Sequence, residues 1–234
     1  GEPIETIVMS ALPAKDGEAT SEWTATMPPL PANSIVRYAI TVDRSGVQQS
    51  ITPDPDRDEF AWHGYFVDPL VSSQHPVYHL FISSQDWASL HTFTAPGRVS
   101  GNTANPNWNN EVSATFVADG VVHDVMVRHQ GSRWNRTGGS TIFFPCESHQ
   151  PGQAQVRSWR IDFPSYRNHD GKDVLILQKQ SGWPNQIAFR MFQLAGVPAP
   201  DSRWANLRIK GCDFNPDAFK IERPGTDLAE RWFG

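Results

Sequence analysis

The chain is poor in the features that most directly assign a function. Its 234 residues include two cysteines, Cys146 and Cys212, and neither stands in a C-x-x-C pair. That excludes a disulfide-dense scaffold and a multi-cysteine zinc module. Spacing leaves both a bridge and two free thiols open. No apolar run approaches the roughly 20 residues of a membrane helix, so no membrane span is expected. The opening residues, GEPIETIV, show neither the basic nor the apolar region of a secretory leader. Positive charge is not in excess: 20 Lys and Arg face 25 Asp and Glu, for a net charge of −5. The chain as a whole therefore has no attraction for nucleic acid. There is no Gly-rich P-loop, no G-x-S-x-G and no Cys/His dyad of recognised spacing. His75 and His79 stand four apart, but a strand separates them by roughly 13 Å. One ion cannot bridge that gap, and no metal site is read.

What is present describes a folded, β-rich protein. Hydrophobic residues make up 38% and charged residues 19%, and nine Trp and nineteen Pro point to loop-rich β structure with aromatic packing. Residues 1–69 read as a β module. The clearest strand there is SIVRYAITVD, with Tyr38, Ile40 and Val42 on its expected core face. The turn DRSG and the returning VQQSIT complete a hairpin. Short strands at this spacing suggest a β-sandwich module, with fewer strands than the ~7 of a complete one. Trp62, Tyr65 and Phe66 could form a carbohydrate platform, but core packing is the ordinary fate of such rings.

A polar, Pro-flanked stretch, DPLVSSQHP, sets a boundary near residues 68–76. In the second region, 70–234, VYHLFIS reads as a strand. SSQDWASL reads as a short helix, with Ser84 as its N-cap and Trp87 and Leu90 on one face. EVSATFVADGVVHDVMVRHQGS reads as a hairpin around Asp119-Gly120. SWRIDFP and VLILQK are further strands. The best helix is GWPNQIAFRMFQLAG, where Ile187, Met191, Leu194 and Ala195 recur at helical spacing, Gly196 closes it and Pro198 prevents continuation. ANLRIKG and DAFKIE could pair, and TDLAERWF is a final helix. The expected class is α+β: a sandwich-like N-terminal module, then an antiparallel sheet with a helix packed on it.

Candidate chemistry centres on residues 121–167. In residues 125–128, Val125 and Val127 share one face, and Met126 and Arg128 the other. In residues 157–163, Trp159, Ile161 and Phe163 alternate with Ser158, Arg160 and Asp162. Two strands with arginines on their polar faces can clamp phosphate, because a guanidinium is a planar fork matched to its oxygens. Arginines on an exposed sheet face are equally able to be solvated or paired with carboxylates.

These segments carry a resemblance. VRHQGSRWNR and RSWRIDFPSYR, followed in order by LILQK, LAGVPAP, WANLRIKG and KIERPGTDLAERWFG, resemble the CotH family, the spore-coat protein H type of atypical protein kinase. The likeness covers roughly residues 77–234; LPANSIVRYAITVDRSG also resembles the Ig-like or fibronectin-type modules that precede some members. The resemblance implies a kinase-like N-terminal lobe, with ATP and Mg²⁺ as cofactors. The implied activity is phosphorylation of Ser or Thr on an extracytoplasmic or coat protein, at a secreted or cell-surface location. It implies phosphate contacts from Arg128, Ser132, Arg157 and Arg160, with Lys179 and Glu222 orienting them and Glu222 at the lobe junction. Where the family carries lysines before the Ser, this chain has Val156 and Arg157. The metal-binding and base carboxylates of phosphoryl transfer would lie beyond Gly234, so no catalytic residue is assigned. The alternative expectation is a noncatalytic surface or assembly module that uses the same sheet as a binding face.

Overall fold

The computed structural model describes residues 6–11, 23–44, 47–52, 63–94, 109–131, 158–165, 168–178, 183–222 and 225–233. Its strands are β1 (Ser10–Ala11), β2 (Trp23–Thr24), β3 (Ile35–Tyr38), β4 (Ile40–Arg44), β5 (Val47–Thr52), β6 (His63–Phe66), β7 (Val77–Phe81), β8 (Val112–Ala118), β9 (Val121–His129), β10 (Trp159–Asp162), β11 (Val174–Gln178), β12 (Ser202–Ile209) and β13 (Cys212–Glu222). The described helices are α1 (Ser84–Thr94), α2 (Trp183–Leu194) and α3 (Thr226–Phe233).

Seven strands close into a barrel in the order β10-β11-β13-β12-β7-β8-β9. This corrects the expected fold class. The second region is a closed β-barrel, not a kinase-like sheet with a helix packed on it. Among the described residues, the N-terminal region is three two-stranded sheets, β1-β2, β3-β6 and β4-β5, rather than a sandwich. Closure obeys a simple parity. Strand direction can alternate all the way round a ring only if the strand number is even. A seven-stranded ring therefore needs a parallel neighbour pair, and β7 with β12 supplies it. Every other junction in the barrel is antiparallel.

Period-two alternation fills the interior. Tyr78 and Leu80 of β7, Phe116 of β8, Val125 and Val127 of β9, Trp159 and Ile161 of β10, Leu175 and Leu177 of β11 and Leu207 and Ile209 of β12 form one buried cluster. A barrel leaves two ends to cover. Helix α1 plugs one: Trp87 and Leu90 join the core, and the Trp87 ring lies 5.9 Å from that of Trp159. Its cap is Ser83, one residue earlier than expected. The Ser83 Oγ accepts from the Asp86 backbone N–H at 3.0 Å, while the Ser83 hydroxyl donates to Asp86 Oδ2 at 2.6 Å. The Asp119-Gly120 turn forms as read. Ala118 faces Val121, and both turn residues have positive φ, 51° and 76°, the twist a two-residue hairpin requires.

The β3–β6 ribbon lies on the outside of β7, β8 and β9. SIVRYAITVD is divided between two sheets, because Arg37 is held by the barrel. Arg37 Nη1 donates to Asp124 Oδ2 at 2.9 Å and Nη2 to Thr115 Oγ1 at 3.0 Å. Its face turns inward, and the expected core residues Tyr38 and Val42 are exposed instead. Phe66 packs on His79 and Phe81, at 4.5 and 5.8 Å. At Gly64 a Cβ would come within 3.0 Å of Val122 Cγ1, so the backbone lies directly on the barrel wall.

Helix α2 departs from its expected role. Ile187, Met191 and Leu194 are exposed, as is Phe192. Its contact with β12 is polar, through Trp204 Nε1 donating to Gln186 Oε1 at 3.0 Å. Helical periodicity had implied a face turned to the sheet. The outer wall beside it is already filled by Trp204 on Phe219, with ring centroids 5.3 Å apart.

Candidate functional site

The barrel gathers segments that are far apart in sequence. VRH ends β9, WRID forms β10, LILQ ends β11 and FKIE ends β13. These four strands are consecutive staves of the ring. Register sets Arg128 directly opposite Arg160, and Arg160 opposite Ile176. Cross-strand partners share a face, so both guanidinium groups stand on the outer wall, next to each other.

Like charges in facing positions repel, and the wall answers with two carboxylates. Asp162, two residues along the same strand face, takes Arg160 with both oxygens, the Nε bond measuring 2.6 Å. That hydrogen bonding holds Arg160 above its ordinary pKa, against its partial burial. Arg128 is held less completely. Its Nε donates to Glu111 Oε1 at 3.1 Å and its Nη1 reaches the His129 carbonyl at 3.5 Å. Among the described residues its Nη2 has no hydrogen-bond partner. Its side chain is only 10% exposed. Burial first, and then Arg160, push Arg128 below its ordinary pKa despite Glu111. This guanidinium is short of negative charge.

Beside the pair opens a cleft of about 780 Å³. Glu111, Asp162, Ser113, Met126 and Phe163 line it, with Arg37 and Asp124 along its edge near β3. The other implied phosphate contacts, Ser132, Arg157 and Lys179, lie outside the described residues. So does Cys146; Cys212, at the start of β13, is disulfide-bonded.

Glu222 is placed elsewhere. It faces Leu175 near the start of β11, toward the opposite end from Gln178. It is buried, receives the Asp201 N–H at 2.9 Å and pairs with Arg231 of α3 at 2.6 Å. Its described partner is thus an arginine on the last helix.

A second polar cluster sits at the barrel end opposite α1, and no local pattern announces it. Lys220 of β13 lies 2.9 Å from Asp170 Oδ2, 3.3 Å from the Tyr78 hydroxyl and 3.4 Å from His169 Nε2. Burial alone would depress Lys220, but its bonds to Asp170 and Tyr78 prevail and raise its pKa. The same hydrogen bond lowers Asp170. His169 is depressed by burial and then by Lys220, and is neutral at pH 7. Ligand atoms of Asp119, His169 and Asp170 lie within 4.8 Å of one another. The Lys220 ammonium already supplies the positive charge of that corner, so no ion is assigned there. A lysine in a strand ordinarily reads as solvated, and His169 falls in the polar turn NHDGKD, which reads as surface.

The buried histidines set an acid limit. His169, and His79 on the outer wall, have folded pKa values below their ordinary 6.5, His79 through burial and then Arg208. On acidification the unfolded chain takes up these protons first. Stability should be level above 6.5 and fall below it, by at most about 1.4 kcal/mol per pH unit for each histidine, until the folded pKa is passed. Thermal midpoints between pH 8 and 5 measure this, and His169→Gln should remove its share of the acid-side fall. An unchanged profile in that variant would exclude His169 as a contributor.

No family model matches the chain, and no curated protein matches it. Among the described residues, no helix is long and apolar enough to cross a membrane.

Proposed function

We propose that the chain is the nucleotide-phosphate-binding part of a CotH-like phosphotransferase, serving transfer from ATP to Ser or Thr of an extracytoplasmic or coat protein. The observation that carries this reading is the facing pair Arg128–Arg160, with Arg128 buried and undercompensated and its Nη2 without a hydrogen-bond partner among the described residues. A polyphosphate bears several negative oxygens, and a fork donor meets two of them at once. Phosphoryl transfer depends on positioning and neutralising those oxygens. Support also comes from the four motif-bearing strands lying side by side. Mg²⁺ is a separate matter. It takes oxygen ligands, and the carboxylates nearest the pair, Glu111 and Asp162, are both engaged by arginine. They do not form a metal site as they stand, and no step is routed through one.

The exposed apolar side of α2 favours the second reading, a noncatalytic surface or assembly module. Thermal unfolding with and without millimolar ATP and Mg²⁺ separates the two. A ligand at 100 times its Kd stabilises by about 2.7 kcal/mol, which raises the midpoint by a few degrees in a chain of this size. Arg128→Ala should abolish that rise. No rise in the native chain, or one of equal size in the variant, would remove the nucleotide reading and leave the assembly module.

A further inference from the structure

We infer that Glu111 is an internal stand-in for a phosphate oxygen, seated on Arg128 in the free protein and displaced into the adjoining cleft when a polyphosphate binds. The inference rests on the nucleotide reading above and adds to it a residue that opposes binding.

The two carboxylates of the arginine pair are not equivalent. Asp162 reaches Arg160 from two positions along the same strand face and holds it with both oxygens. It is a short side chain on a rigid stave, so the Arg160 fork is fixed in place. Glu111 stands just before β8, seventeen residues from Arg128 in sequence, and touches it through a single oxygen at 3.1 Å. It is 31% exposed and lines the open cleft. A glutamate has three rotatable bonds, and its single-oxygen contact is a weaker hold than the two-oxygen grip of Asp162 on Arg160. A bidentate phosphate contact exceeds a single-oxygen one. The exchange is therefore downhill in contacts. Departure of Glu111 frees the Nε, which together with Nη2, unpartnered among the described residues, offers an incoming anion two parallel donors on one edge of the guanidinium. The displaced carboxylate has room in the cleft beside it.

Titration calorimetry with ATP, with and without Mg²⁺, tests this on the whole chain. Removing a like charge that competes for the same donor should tighten binding. Glu111→Gln is expected to bind ATP about fivefold more tightly than the native chain, a gain consistent with a partly screened ion pair. Its unliganded thermal midpoint should fall slightly, since Arg128 loses a partner. Glu111→Asp keeps the charge but shortens the reach, and should fall between the two. If Glu111→Gln binds as the native chain does, the stand-in is excluded while the nucleotide reading survives. If it binds more weakly, and only when Mg²⁺ is present, Glu111 is a metal ligand and the stand-in is wrong. If neither native chain nor variant binds ATP, the nucleotide reading fails and takes this inference with it.

Discussion

Trp159→Ala should cost about 3–5 kcal/mol, the range for removing a large aromatic from a filled core. Trp159 is fully buried. Its ring lies 5.9 Å from that of Trp87 and 4.5 Å from that of His129. It joins the barrel wall to the helix that plugs it. Its loss leaves a void that a closed ring of strands cannot collapse around without bending every stave. Chemical denaturation read by far-ultraviolet circular dichroism gives the number. Trp159→Phe, which keeps most of the volume, should lose less than half as much. A loss under 1 kcal/mol for the alanine variant would mean that α1 does not seal this end.

The second large effect belongs to Glu222. Its carboxylate is buried, while its partner Arg231 is 40% exposed. Removal of one member of a buried pair typically costs 3–5 kcal/mol. Here Arg231 can regain water, so screening reduces that figure. Glu222→Ala should cost about 2–3 kcal/mol, most of it from the Asp201 N–H left without its acceptor. Glu222→Gln retains an oxygen for that N–H and should recover about half. The diagnostic readout is α3. Arg231 also donates to the Ala199 carbonyl at 3.1 Å, as does Trp232 Nε1 at 3.4 Å. Hydrogen exchange across α3 should rise in the alanine variant and stay near native in the glutamine variant. Equal protection in both would show that α3 is held without Glu222.

Local chemistry explains what could be read in advance. Asp119-Gly120 announces a hairpin because few residues accept positive φ, and the β8–β9 ladder follows. Trp87 and Leu90 declare the inner side of α1 by their spacing. Alternation alone puts Arg128 and Arg160 on the polar faces of their strands; the ladder is what sets them face to face on one wall. Long-range choices were not legible. Nothing local in VYHLFIS tells its strand to lie parallel to ANLRI, and without that pair the sheet reads as open. The apolar side of α2 read as core because periodicity reports a face and not what meets it. Arg37 reversed the expected face of its strand through Asp124, a partner 87 positions away. The buried partners of Lys220 and Glu222 were not legible, because burial of a charge depends on groups that assemble only in three dimensions.

The parallel junction between β7 and β12 also shapes how the molecule is made. Its partners, such as Val77 and Asn206, are about 130 residues apart, whereas the β8–β9 hairpin pairs near neighbours; contacts of high sequence separation form slowly because chain entropy must be lost before they reward it. The hairpins can thus assemble early into a curled, unclosed ribbon whose two rims are β7 and β12. Each rim then exposes a row of free backbone donors and acceptors, the template on which a second chain can add. The seam that gives an odd-numbered ring its closure is also the place where nascent chains are most open to pairing with one another.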